Sequence, residues 1–134
     1  MKKSILLIIS LALFFGATQV FAQTKEVPQE IIRALNDGNA PALSAFFNNN
    51  VELVIENRND VFRRQQAGGI VADFFRRNPV NDFTVIHKGV QEASSFVIGT
   101  LRTANGSFRV YVLTRQVENN IVIQQLRIEM TPNP

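Results

Sequence analysis

His87 and Tyr111 are the only histidine and tyrosine among 134 residues, and the chain has no cysteine and no tryptophan. That stock limits the chemistry before any fold is considered. A three-histidine metal site is impossible, and so is any site built on thiolates, so neither a metal nor another cofactor is expected. A serine triad would have to join His87 to Ser44, Ser94, Ser95 or Ser107, and no Gly-x-Ser-x-Gly elbow presents any of them. Gly68-Gly69 lacks the rest of a phosphate-cradling loop. Proton transfer remains, through His87 and Tyr111 or through the acids Glu52, Asp73 and Asp82. None of these stands in a recognisable catalytic pattern, so no catalytic residue is assigned.

The cations offer binding rather than catalysis. Arg63-Arg64 and Arg76-Arg77 flank one helical stretch and suit an anionic surface such as lipid headgroups or polysaccharide. Arg76-Arg77 equally suits a helix C-terminus, where cations complement the dipole. Nucleic acid is not an expected partner. The aromatics interleaved with arginine at Phe74–Arg77 belong to an apolar helical stripe and are needed for the core.

The first 22 residues read as a secretory signal peptide: Lys2 and Lys3, an apolar run from Ile5 to Phe15, then Val20-Phe21-Ala22 ahead of Gln23. The run is shorter than the ~20 residues that a membrane span needs. The absence of cysteine excludes a lipid anchor through an N-terminal one. Removing 22 of 134 residues leaves 112, enough for one hydrophobic core without disulfides. Removal also takes Lys2 and Lys3, so 14 basic residues become 12 against 11 acidic, and the net charge falls from +3 to +1. The expected organisation is a signal peptide at 1–22 and a single domain at 23–134, exported to the periplasm or beyond, with no membrane-spanning segment in the mature chain.

These groups need a frame to position them. Val27, Ile31, Ile32 and Leu35 recur at helical spacing, and Gly38 terminates that helix. Asn39 caps a second, short helix with Leu43, Phe46 and Phe47 on one side, closed by Asn48-Asn49-Asn50. Val51–Ile55 and Val61–Arg64 form a hairpin around a turn at 57–60. A third helix carries the stripe Ala67, Ile70, Val71, Phe74 and Phe75 and stops at Asn78-Pro79. Four strands follow at 83–90, 95–103, 108–117 and 121–128, with two-residue loops at Asn105-Gly106 and Asn119-Asn120. The order is helix, helix, hairpin, helix, then an antiparallel meander.

That order, with Gly38-Asn-Ala-Pro-Ala-Leu43-Ser-Ala-Phe-Phe47 before a strand and Gly69-Ile-Val-Ala-Asp-Phe-Phe75 as the third helix, resembles the nuclear transport factor 2-like superfamily. Within it the chain is most similar to a domain-of-unknown-function family of small secreted bacterial proteins. The resemblance implies an α+β roll, three helices packed in a strongly bent antiparallel sheet that forms a cone with an open mouth. Its members include isomerases, dehydratases, transport adaptors and non-catalytic binding modules, so fold does not decide function.

Counting outward from the two loops sorts the sheet into faces. One carries Phe96, Ile98, Thr100, Arg109, Tyr111, Leu113, Leu126 and Ile128. A further loop at Ala93-Ser94 sets His87 opposite Thr100, giving a polar row of His87, Thr100 and Tyr111 beside Arg109. These four are the candidate ligand-binding residues of a pocket inside the cone. The other face carries Val97, Leu101, Phe108, Val110, Val112 and Ile123. The larger side chains of the first face suit the cone. The second face is then outermost, and Val97, Leu101, Val110 and Val112 become candidates for a homodimer interface. The resulting expectation is an exported, non-catalytic binding domain with a cone-shaped pocket. It would take a small molecule or an envelope protein as partner. The alternative is a small cavity enzyme of the isomerase or dehydratase kind.

Overall fold

The computed structural model describes residues 26–132, and the expected signal peptide lies outside them. Helix α1 (Gln29–Asp37) follows Pro28, whose missing N–H costs nothing at a helix start. It ends where Gly38 takes a left-handed φ of 62° and Asn39 N–H reaches the carbonyl of Ala34. The Asn39 side chain then accepts the N–H of Ala42 and caps α2 (Ala40–Ser44). Strands β1 (Phe47–Ile55) and β2 (Arg58–Arg63) form a hairpin, and α3 (Arg64–Arg77) crosses back. Strands β3 (Val80–Gln91), β4 (Ser94–Thr103), β5 (Gly106–Val117) and β6 (Asn120–Met130) complete one curved sheet in the order β2-β1-β6-β5-β4-β3.

Pairing is antiparallel throughout except between β1 and β6, which run parallel. That junction brings Asn48–Asn50 into the sheet, although asparagine disfavours strands. Phe46 carbonyl accepts the N–H of Ile123, and Phe47 pairs with Ile123 while Glu52 pairs with Gln125. The asparagines take up the surplus length on β1 between those two points.

The concave face of the sheet is closed by the helices. Ile31, Leu35, Leu43 and Phe74 from the helices meet Val51, Leu53, Ile55, Val97, Leu101, Val110, Val112, Ile123, Leu126 and Ile128 from the strands, and none is more than 1% exposed. This reverses the expected faces. Val97, Leu101, Val110 and Val112 are core residues of one protomer and cannot form a homodimer interface. Side-chain size misleads here because the helices supply the bulk. The Phe74 ring meets Phe108 edge-on at 5.0 Å, so the strands beneath the helices need only short β-branched side chains.

The turns explain the rest of the difference. Each meander loop begins one residue earlier than expected, at 92–93, 104–105 and 118–119. Glu92 and Glu118 take positive φ at the first turn position, as Glu56 does between β1 and β2. Thr103 closes the 104–105 turn by donating to Gly106 carbonyl and accepting the N–H of Asn105. A loop moved by one residue moves the partner by two and keeps the face, so Thr100 stands opposite Arg109 and Tyr111 opposite Ile98. A bulge at Gln124 then shifts β6 against β5 by one, which swings Leu126 and Ile128 inward beside Val112 and Val110.

Two glycines carry opposite expectations. A Cβ on Gly99 would lie 2.5 Å from the Thr84 carbonyl oxygen and against the Phe83 ring, and neither can yield without parting β3 from β4. Gly99→Ala should therefore cost about 1–3 kcal/mol. Gly69, in the middle of α3, has nothing within 4 Å of that position. Gly69→Ala should stabilise by about 0.5–1 kcal/mol. Urea unfolding of both variants checks the pair, and equal effects would contradict this packing.

Candidate functional site

The convex face is built by the alternate residues that point away from the helices. On β4 these are Ser94, Phe96, Ile98, Thr100 and Arg102, and on β5 Ser107, Arg109, Tyr111, Leu113 and Arg115. A bulge at Ile86 places His87 opposite Ile98, so His87 shares this face. Gly89 lies opposite Phe96, and a Cβ there would come within 2.5 Å of the ring. The Phe96 ring therefore lies across β3 in a place only glycine leaves free. His87 sits 5.5 Å from it on one side and Tyr111 6.1 Å on the other, centroid to centroid.

All four candidate pocket residues, His87, Thr100, Arg109 and Tyr111, thus lie on one face, but it is the outer one. They line no enclosed space. His87 and Arg109 are exposed, while Thr100 and Tyr111 are half-buried among Phe96, Ile98 and Leu113. Neither His87 nor Tyr111 has a side-chain hydrogen bond to another described residue. Counting placed Phe96, Ile98 and Leu113 on this same face; what it could not show is that the face points outward.

Of the three acids offered by the sequence, Glu52 is exposed on β1 opposite Val61, and Asp73 and Asp82 are engaged by arginines. Asp73 pairs with Arg76 and Arg77, and Arg77 also makes two bonds to the Glu56 carboxylate at 2.8 and 3.0 Å. The hydrogen bonds from Arg77 hold both carboxyls below their ordinary range and raise the guanidinium above its own. Arg102 does the same to Asp82 across β3 and β4. Arg64 donates to Phe47 carbonyl and to the Asn49 side chain. Three of the four arginines flanking α3 are therefore spent on tying α3 to the sheet and to its own last turn. They do not form a free anionic-ligand patch.

The depressions in the surface are shallow and lie outside the cone. The one at its mouth, about 610 Å³, is bordered by Glu30, Phe46, Arg64, Asn120 and Val122. Another of about 470 Å³ lies between α2 and α3, where Gly68 approaches Ser44. Among the described residues no three His, Cys, Asp or Glu side chains converge as metal ligands, and no buried side-chain polar atom lacks a partner.

Comparison with known proteins adds the family. No protein of curated function matches the chain. A solved protein of the DUF4783 family from Bacteroides ovatus ATCC 8483 is 38% identical, with a TM-score of 0.77 over 81% of this chain and 98% of that one. One from Bacteroides fragilis YCH46 is 42% identical, with a TM-score of 0.75 over 79% and 100%. At the level of fold alone, the chain is similar to a cystatin-like domain of unknown function from Nostoc punctiforme PCC 73102. That match has 12% identity and a TM-score of 0.62, over 78% of this chain and 73% of the other. The family model for the domain of unknown function DUF4783 matches residues 28–129, and the chain belongs to that family, with a nuclear transport factor 2-like, cystatin-like α+β fold.

Proposed function

We propose that this is an exported, non-catalytic interaction domain that works through its outer surface. One observation carries the reading: the cone is filled by the protein's own side chains. Phe74, Leu35, Leu43 and Phe47 occupy the space where a cavity protein would hold its ligand, all at most 1% exposed. A cavity enzyme needs a base held in a water-excluding pocket at the reacting atom. Here Asp73 and Asp82 are bound to arginines at the surface, and His87 faces outward. The export part of the reading rests on the charged start, apolar run and Val20-Phe21-Ala22 site of the sequence.

Native mass spectrometry of the exported protein tests both parts. The expected spectrum shows a polypeptide beginning at Gln23 or within a residue or two of it, with no small molecule retained in stoichiometric amount. A chain that keeps Met1 would contradict export. A stoichiometric non-protein mass that leaves on unfolding would contradict the filled interior.

A further inference from the structure

We propose that one corner of the outer surface is a binding site for a neutral saccharide. This rests on the outer-surface reading above and names the class of ligand. The corner is a depression of about 450 Å³ beside the turn between β3 and β4, bordered by Gln91, Glu92, Ser94, Leu113, Arg115 and Gln124. That volume lies within the ~300–1,000 Å³ of small-ligand sites.

Two local features bring these side chains together. Gln91 stands opposite Ser94, and Ser94 opposite Arg115, so one polar row crosses three strands. Gln116 N–H donates to the Ala93 carbonyl at 2.8 Å and ties the turn, with Glu92 in it, down onto β5. The bulge in β6 supplies the rest. Leu113 stands opposite Gln125 and Thr114 opposite Ile123, which leaves Gln124 as the surplus residue. Ile123 and Leu126 are both buried, while Gln124 and Gln125 between them are both half-buried. In a regular strand neighbours alternate, and one of the two glutamines would enter the core. The bulge turns it outward instead.

The chemistry of the lining selects the ligand. Arg115 and Glu92 contribute one charge of each sign, so the corner has no net charge with which to hold an ion. Among the described residues the one side-chain hydrogen bond here runs from Ser94 Oγ to the Gln91 carbonyl, at 3.1 Å. The glutamine amides, the guanidinium and the carboxylate are therefore free, and together they mix donors with acceptors. Adjacent hydroxyls, each able to donate and to accept, match such planar groups. The apolar wall is Leu113, which stands opposite Phe96. The Phe96 ring is followed by Tyr111 at 6.1 Å, with the two rings inclined by only 29°. This gives a flat surface for the C–H face of a sugar ring. A wholly apolar ligand would leave the polar groups unpaired, and a phosphate would meet the carboxylate beside the arginine. A neutral polyol with one C–H face satisfies both sides of the corner.

Chemical-shift titration of the isotope-labelled mature chain by nuclear magnetic resonance tests the assignment, because glutamine side-chain amides report contact directly. The probes are maltose, cellobiose, lactose and N,N′-diacetylchitobiose, with inorganic phosphate as the charged control. At least one of the saccharides should shift the side-chain amides of Gln91 and Gln124 and the backbone of Ser94 and Arg115. Saturation is expected with a dissociation constant of about 0.1–1 mM, as suits an open site. Arg115→Ala should weaken that binding about tenfold, and Gln124→Ala about threefold or more. Both side chains reach solvent, so the variants should keep the spectral dispersion of the parent. No shift with any of the saccharides, shifts confined to the cone mouth, or variants that bind like the parent would each overturn the inference. So would phosphate moving these same signals more than any saccharide does. A site this weak retains no sugar through native mass spectrometry, so this test and that of the filled interior fail independently.

Discussion

Phe74→Ala is expected to lower the free energy of unfolding by about 3–5 kcal/mol, the range for deleting a fully buried aromatic ring. Phe74 has no exposed surface and sits edge-on to both Phe75, at 5.8 Å, and Phe108, at 5.0 Å. It is the point where α3 meets the valine-rich concave face. Short strand side chains beneath it cannot swell to fill the void, and the curved backbone is held by its own ladders. The cost should therefore fall in the upper part of that range. Domains of this size are stable by about 5–15 kcal/mol in all, so the variant should be marginal at 37 °C. Chemical denaturation with an unchanged m-value is the measurement. A loss under half a kcal/mol would mean that the ring is not the plug of the cone.

The stripe that contains Phe74 was legible in the sequence, and so was most of the frame. Helical spacing of Ala67, Ile70, Val71, Phe74 and Phe75 is a local pattern; four of the five are the buried residues of α3, and Ile70 is half-buried at the edge of the stripe. Gly38 and Asn39 act where their conformational preferences put them, as terminator and cap. The candidate site was legible only as a grouping. Alternation alone joins Thr100, Arg109 and Tyr111, and a two-residue turn preserves that grouping even when its position is off by one. Two features are not local. The bulge at Gln124 reverses the faces of Leu126 and Ile128, and it coincides with the irregularity in the parallel pairing of β1 with β6, strands more than sixty residues apart in sequence. The choice of inner face depends on how much volume the helices bring, which no strand pattern records. Both errors pushed the polar row into the cone and the valines out of it.

The most direct measurement of the central claim, that the valine face is the closed interior and the aromatic face is the working surface, is to put one arginine on each. Val110 is fully buried, and its neighbours Gly99 and Ile128 offer no charge and no hydrogen-bonding side chain. In Val110→Arg an unpaired buried charge would cost about 3–5 kcal/mol, and forcing the longer side chain into a packed layer about 1–3 kcal/mol more. That total is comparable to the whole stability of such a domain. Ile98 is only half-buried on the opposite face. In Ile98→Arg the guanidinium can extend into water, so the fold should survive. Circular dichroism and urea unfolding of the two proteins, side by side, decide the matter. The expected result is an unfolded Val110→Arg and a folded Ile98→Arg. A folded Val110→Arg beside an unfolded Ile98→Arg would contradict the account.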